Sequence, residues 1–267
     1  MRSLNQLRRN IVSKARSFDI MRWPGTPYGS HPLQTMQIDE LNDLCPRDGW
    51  PTVLMIHGGG WVEGSCQDYT HLAPLFARRG IMACAMNYRL APENRWPAQK
   101  EDVFAALDFL RSQQVDLQRL ALWGDSAGAH MALHAALDYP HPIAAVVAIG
   151  TPFDLTHLPT SLWGEAFLES QLQAASPVYR EGSKLPPTLL LHGEKDRIVP
   201  VEQSRIFAQR FPQSTLWELE DGDHGLRWPL HRAWRLKRKA VRWLEQTLDL
   251  PKRGSKWKRR KNKSAAK

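Results

Sequence analysis

Short apolar runs at Thr52–Ile56, Ile81–Met86, Leu120–Trp123, Ala144–Ile149, Thr188–His192 and Thr215–Leu219 are separated by helical patterns near Tyr69–Arg79, Ala98–Ser112, Ala127–Leu137 and Glu202–Gln209. The runs do not alternate apolar with polar residues, so the strands they predict need cover on both faces. Strands alternating with helices, each strand doubly covered, specify the α/β class: a mostly parallel sheet flanked by helices. In such sheets ligands sit beyond the carboxyl ends of the strands. A chain of 267 residues suffices for one domain of this kind, with a core deep enough to exclude water from a site. No apolar run approaches the ~20 residues that span a bilayer.

Three segments follow from composition. Residues 1–22 carry Leu4, Leu7, Ile11, Ala15 and Phe18 at helical spacing with Arg and Lys between them, which predicts a basic amphipathic helix packed on the domain. Arg8-Arg9 invites a twin-arginine export reading, but the residues that follow are too charged for the apolar part of a signal peptide. Trp23–Gly29 reads as a turn-rich lead-in to a domain over 23–250, whose last helix is expected at Leu230–Thr247. Residues 251–267 hold nine Lys and Arg and no acid, lack an apolar period, and are expected to be a disordered tail.

The formal charge of +9 is therefore a C-terminal property. Residues 227–250 add seven cations against Glu245 and Asp249, which leaves −5 for residues 1–226. Lys252–Lys263 with Trp257 interleaved makes an anionic polymer or nucleic acid a candidate weak partner, although a solubilising tail is the plainer reading. Cys45, Cys66 and Cys84 match no zinc spacing and leave one thiol unpaired in a monomer, which suits a reducing cytoplasm.

The chemistry concentrates at the ends of the predicted strands. Gly124-Asp125-Ser126-Ala127-Gly128 follows one strand and opens a helix, the junction at which a tight turn lifts a serine hydroxyl clear of the backbone. His57-Gly58-Gly59-Gly60-Trp61 follows another strand. Its glycines let backbone N–H groups approach an anionic oxygen, so the amides of Gly58 and Gly59 (Gly60 in reserve) and of Ala127 are the expected oxyanion donors. His57 reads as a loop scaffold. Asp196, in the loop after Thr188–His192, and His224, after the last strand, complete the order Ser, Asp, His. Glu194, Asp221 and Asp223 are less suitable acids, because Asp196 lies farther along its loop, just before Ile198-Val199-Pro200.

Other residues have plainer readings. Glu93 and Asp102 are expected to hold the loop before the second helix through ion pairs. His130 and His134 sit four apart, as metal ligands can, yet no acid is suitably spaced, so they are read as core residues and no metal or cofactor is expected. Trp61 and Trp96 are candidates for the pocket wall. The segment after Ile149 up to Leu185 is the candidate small lid, with a helical pattern at Ser161–Ala174.

Together these motifs resemble the hormone-sensitive-lipase-like group of α/β-hydrolases, its short bacterial carboxylesterases and the animal-type kynurenine formamidases. His57–Trp61 is similar to H-G-G-x-W. Tyr88-Arg89-Leu90-Ala91-Pro92-Glu93 with Trp96-Pro97-Ala98 and Glu101-Asp102 resembles Y-R-L-A-P-E…F-P-A…E-D, with Trp in place of Phe. Gly124–His130 resembles G-D-S-A-G-A-H, Asp196–Pro200 resembles D-x-x-V-P, and His224-Gly225-Leu226 departs from H-G-F. The resemblance covers residues 28 to 247 and implies the α/β-hydrolase fold, a Ser126–His224–Asp196 triad and hydrolysis of a small-molecule ester or amide. The expected substrates are small carboxylic esters, with N-formylkynurenine, the arylformamidase substrate, as the alternative. The short lid implies turnover that falls as the acyl chain lengthens.

Overall fold

The structure, a computed structural model, describes residues 20–41, 45–181, 185–226 and 228–250. The expected N-terminal helix, apart from its last residues, and the basic tail lie outside this range. In chain order the elements are β1 (Ile20–Pro27), β2 (Thr35–Leu41), β3 (Trp50–Ile56), α1 (Ala73–Ala77), β4 (Met82–Met86), α2 (Ala98–Arg111) and β5 (Val115–Asp125). They continue with α3 (Ala127–Asp138), β6 (Ala145–Ile149), α4 (Thr160–Trp163), β7 (Thr188–Gly193), α5 (Val201–Arg210), β8 (Ser214–Leu219) and α6 (Leu230–Thr247).

One eight-stranded sheet runs β1-β2-β4-β3-β5-β6-β7-β8. β2 is antiparallel to both β1 and β4, and every later neighbour pair is parallel. Because successive side chains in a strand point to opposite faces, the sheet divides two cores. Leu54, Ile56, Leu122 and Val146 enter one with α2 and α3, while Val53, Met55, Trp123 and Val147 enter the other with α1 and α6. Burial of both faces explains the unbroken apolar runs. α6 contributes Ala233, Ala240, Val241 and Leu244 to its core and turns its basic side outward. Among the described residues no helix is long and apolar enough to cross a membrane.

Two expectations need correction. Trp23–Gly29 is no mere turn-rich lead-in: most of it belongs to the edge strand β1, whose register breaks between Trp23 and Thr26 around Pro24-Gly25. An edge position tolerates a proline that cannot donate to the ladder. The segment read as a helix at Ser161–Ala174 forms only α4, followed by a short 3-10 turn at Glu169–Gln171.

This cap over the sheet is bolted down rather than hinged. The Trp96 amide donates to Ala166 O at 2.9 Å, the Val178 amide to Phe153 O at 3.0 Å, and the Leu155 amide to Ser176 Oγ at 2.8 Å. The Nε2–H groups of His130 and His134 both donate to the Ala175 carbonyl, at 2.7 and 2.8 Å. That contact accounts for the histidine pair as structural. Among the described residues no cluster of His, Cys, Asp and Glu could hold a metal ion.

Candidate active site

Parallel pairing brings the carboxyl ends of β3, β5 and β6 level, with Ile56 opposite Gly124 and Asp125 opposite Ile149. Ser126 leaves β5 at φ 53, ψ −118, a strained conformation for a residue with a side chain, and its amide donates to Ile149 O at 2.7 Å. The next residue starts α3, whose first amides have no intrahelical acceptor. The turn closes so tightly that a Cβ on Gly128 would stand 1.9 Å from Ile56 O, hence the glycine. The loop after β3 backs directly on the nucleophile turn: a Cβ on Gly58 would lie 3.3 Å from Ser126 Cβ. Neither the Gly58 nor the Gly59 amide donates to a backbone acceptor among the described residues.

His224 stands in a short turn after β8. Its Nε2 is 2.9 Å from Ser126 Oγ and its Nδ1 is 2.7 Å from Asp196 Oδ2. Asp196 Oδ1 accepts the amides of Ile198 at 2.8 Å and Val199 at 2.9 Å. Burial alone would raise the pKa of this carboxyl, but hydrogen bonds from His192 and His224 outweigh burial and hold it below the ordinary carboxylate range. With Asp196 ionised, the shared proton sits on Nδ1, so Nε2 presents its lone pair to the serine hydroxyl. A hydroxyl, an imidazole and a carboxylate in this line can move a proton off Ser126 and stabilise the imidazolium that forms. The competing acids are occupied elsewhere or point to solvent. Asp221 pairs with Lys195 at 2.7 Å, Asp223 Oδ1 takes the Trp228 amide at 2.7 Å, and Glu194 is exposed.

His57 is buried, stacks on Tyr88 at 4.1 Å between ring centroids, and donates from Nδ1 to Gly58 O at 2.7 Å. Burial lowers its pKa to about 4, which keeps it neutral. The Tyr88 hydroxyl bonds His57 O at 3.0 Å, so the loop backbone is held from both sides. Beyond it, Asp102, fully buried, accepts the Arg89 amide at 2.7 Å and Arg89 Nε at 2.8 Å. Glu93, by contrast, is exposed and forms no ion pair with a described residue. Trp61 and Trp96 are 1% and 9% exposed, and each packs edgewise on His130.

The sequence reading passed over His192. It is fully buried, takes the Ser204 hydroxyl at Nδ1 (2.6 Å), and turns Nε2 to Val199 O at 2.9 Å and to Asp196 Oδ2 at 3.1 Å. A polar residue at the end of an otherwise apolar run, four positions before the acid, is the signal that marked it.

The eight-stranded, mostly parallel sheet with its flanking helices is that of the α/β-hydrolase fold. More narrowly, the chain belongs to the BD-FAE family, whose model matches residues 45–211. It is similar to "Esterase LipC" of Mycobacterium tuberculosis, 30% identical over 236 residues, or 74% of this chain and 58% of that one. It also resembles "Kynurenine formamidase" of Debaryomyces hansenii, 35% identical over 121 residues, covering 42% of this chain and 38% of the relative. The chain thus spans about half the length of the leading relatives it matches. Among solved structures, "Truncated form of carbohydrate esterase from gut microbiota" superposes with a TM-score of 0.75 at 18% identity, over 88% of this chain and 99% of that one, a likeness of fold.

Proposed function

We propose that this chain hydrolyses small carboxylic esters through an acyl-enzyme on Ser126. The observation that carries the reading is the continuous hydrogen-bonded line from Ser126 Oγ through His224 to Asp196, at 2.9 and 2.7 Å. In the first half-reaction Ser126 Oγ attacks the ester carbonyl while its proton passes to His224 Nε2. Asp196, held ionised, stabilises the imidazolium. The amides of Gly58, Gly59 and Ala127 are the donors for the tetrahedral oxyanion, each such donor typically contributing about 3 kcal/mol. His224 then returns the proton to the alkoxide leaving group. Water, deprotonated by the same imidazole, releases the acid and restores the hydroxyl.

The cap supports this substrate class. An added Cβ on Gly60 would lie 3.9 Å from Leu162 O, so α4 stands next to the glycine loop, and a short cap held in that place favours a short acyl group over a long one. The same residues would serve an N-formyl amide, but the relatives matched over most of this chain's length are named as esterases. None of Cys45, Cys66 and Cys84 is in a disulfide, which fits a cytoplasmic setting.

Labelling by a fluorophosphonate probe tests the reading. The intact chain is expected to label and Ser126→Ala is not, with p-nitrophenyl acetate and butyrate turned over faster than longer esters and faster than N-formylkynurenine. Equal labelling of both proteins would overturn the nucleophile, and a preference for long chains or for the formamide would overturn the substrate class.

A further inference from the structure

The outer side of α6 takes no part in the chemistry above. Residues three and four apart share a helix face, and His231, Arg235, Arg238 and Arg242 follow that spacing, all exposed. Among the described residues the ion pairs of α6 are those of Arg232 with Glu220 and Asp221 and of Glu245 with Arg79, so the three stripe arginines stand without a carboxylate. At the N-terminal end of the helix, Trp228 and Leu230 are 67% and 69% exposed, more than any other exposed large hydrophobic side chain described. Trp228 is not loose. Its amide donates to Asp223 Oδ1 at 2.7 Å and its carbonyl accepts the Asp223 amide at 3.2 Å. An indole on a pinned backbone thus stands in water four residues from His224, just before a helix whose outer arginines have no carboxylate partner among the described residues.

We propose that this face docks on an anionic lipid surface, with Arg235, Arg238 and Arg242 against the headgroups and Trp228 and Leu230 seated in the interface. Charge complementarity selects an anionic partner. Residues 227–250 carry a formal +5, and Arg235, Arg238 and Arg242 lie in one exposed row on α6, so the helix presents a local positive face that would attract an anionic surface. The exposed apolar pair selects a bilayer over duplex nucleic acid. Phosphates of either would satisfy the arginines, but only a lipid interface also takes an indole and a leucine out of water. Docking this way would bring the His224 turn to the boundary where amphipathic esters collect.

The test is sedimentation of the full chain with vesicles of about 30% phosphatidylglycerol in phosphatidylcholine, at low and high salt, each basic group near such a surface strengthening partition roughly fivefold. The wild type is expected to bind, to release at high salt, and to ignore pure phosphatidylcholine. Arg235→Gln, Arg238→Gln and Arg242→Gln together are expected to weaken partition by roughly 100-fold. The matching triple lysine variant should bind like wild type, and Trp228→Ala should bind less tightly. All variants should keep wild-type turnover of soluble p-nitrophenyl acetate, which separates this surface from the catalytic reading, since vesicle binding is scored without reference to turnover. Undiminished binding by the triple glutamine variant would overturn the proposal. So would failure to bind the anionic vesicles, or duplex DNA binding that depends on these arginines while the vesicles are ignored.

Discussion

Asp196 illustrates how a buried charge is made usable. Its side chain is shut off from water, yet four N–H groups converge on it: two backbone amides, His224 Nδ1 and His192 Nε2. Hydrogen bonds to an ionised group are each worth about 1.5–3 kcal/mol, so this set offsets the desolvation that would otherwise neutralise the acid. His192 is itself set by Ser204, whose hydroxyl donates to Nδ1 and leaves the proton on Nε2. His192 is therefore a positioning residue for the acid, and replacing it has a definite consequence. His192→Leu should destabilise the fold by about 2 kcal/mol and lower kcat more than KM, because the substrate itself touches nothing that changed. It should also raise the Asp196 pKa, so that stability on acidification is lost at a higher pH than in the wild type. Urea unfolding across pH together with the split between kcat and KM measures all three effects. Reduced stability with kcat and the acid dependence of stability unchanged would leave His192 as core packing only.

Among the elements, the parallel strands β3 to β8 were legible because burial on both faces writes an uninterrupted apolar run, and the glycine motifs were legible because close backbone approach excludes a side chain. The β1–β2 hairpin was not. Its buried Asp39 and Glu40 are tied by Arg22 at 2.7 Å and by the Trp23 indole at 3.2 Å, partners 17 residues distant that no local pattern reveals. The cap was misread for a related reason: its residues are ordered by tertiary contacts rather than by a helical ladder, and Pro159 and Gly164 confine α4 to one turn. Gln203 on α5 makes three of those contacts. Its Oε1 accepts the Phe153 and Asp154 amides at 2.8 and 3.0 Å, and its Nε2 donates to Asp154 O at 3.0 Å. Gln203→Ala strips partners from three backbone groups, at about 1–3 kcal/mol for each that stays buried. The expected outcome is faster amide exchange over residues 153–156 and a flatter decline of activity with acyl length, since a loosened cap admits longer chains. Unchanged exchange with an unchanged acyl profile would show the cap to be held elsewhere.

At the scale of the whole molecule, the groups removed from water set how stability depends on pH. His57 is lowered to about 4 by burial, and His130 lies well below its ordinary value of 6.5 through burial and the adjacent His134. Both are neutral when folded and free to charge when unfolded. Between pH 6.5 and the folded pKa the unfolded chain binds more protons, so stability rises with pH, by about 1.4 kcal/mol per unit for each fully buried imidazole, and is fully present above 6.5. Asp196 has the opposite charge and the same consequence. Its folded pKa lies below the unfolded 3.8, so its contribution is present above 3.8 and is lost as pH falls through the folded value. Acidification should therefore weaken the fold in two stages, histidines first and the carboxylate later. Urea midpoints should fall from about pH 7 to about pH 5, and His57→Asn, which keeps a donor for Gly58 O but cannot take a proton, should fall less over that interval. Since His57 scaffolds the glycine loop beside Ser126, activity lost on acidification should recover on return to neutral pH, the imidazole shedding its proton as the loop closes again. Midpoints that stay level between the two pH values in the wild type would mean that these rings are charged, or hydrated, in the folded protein.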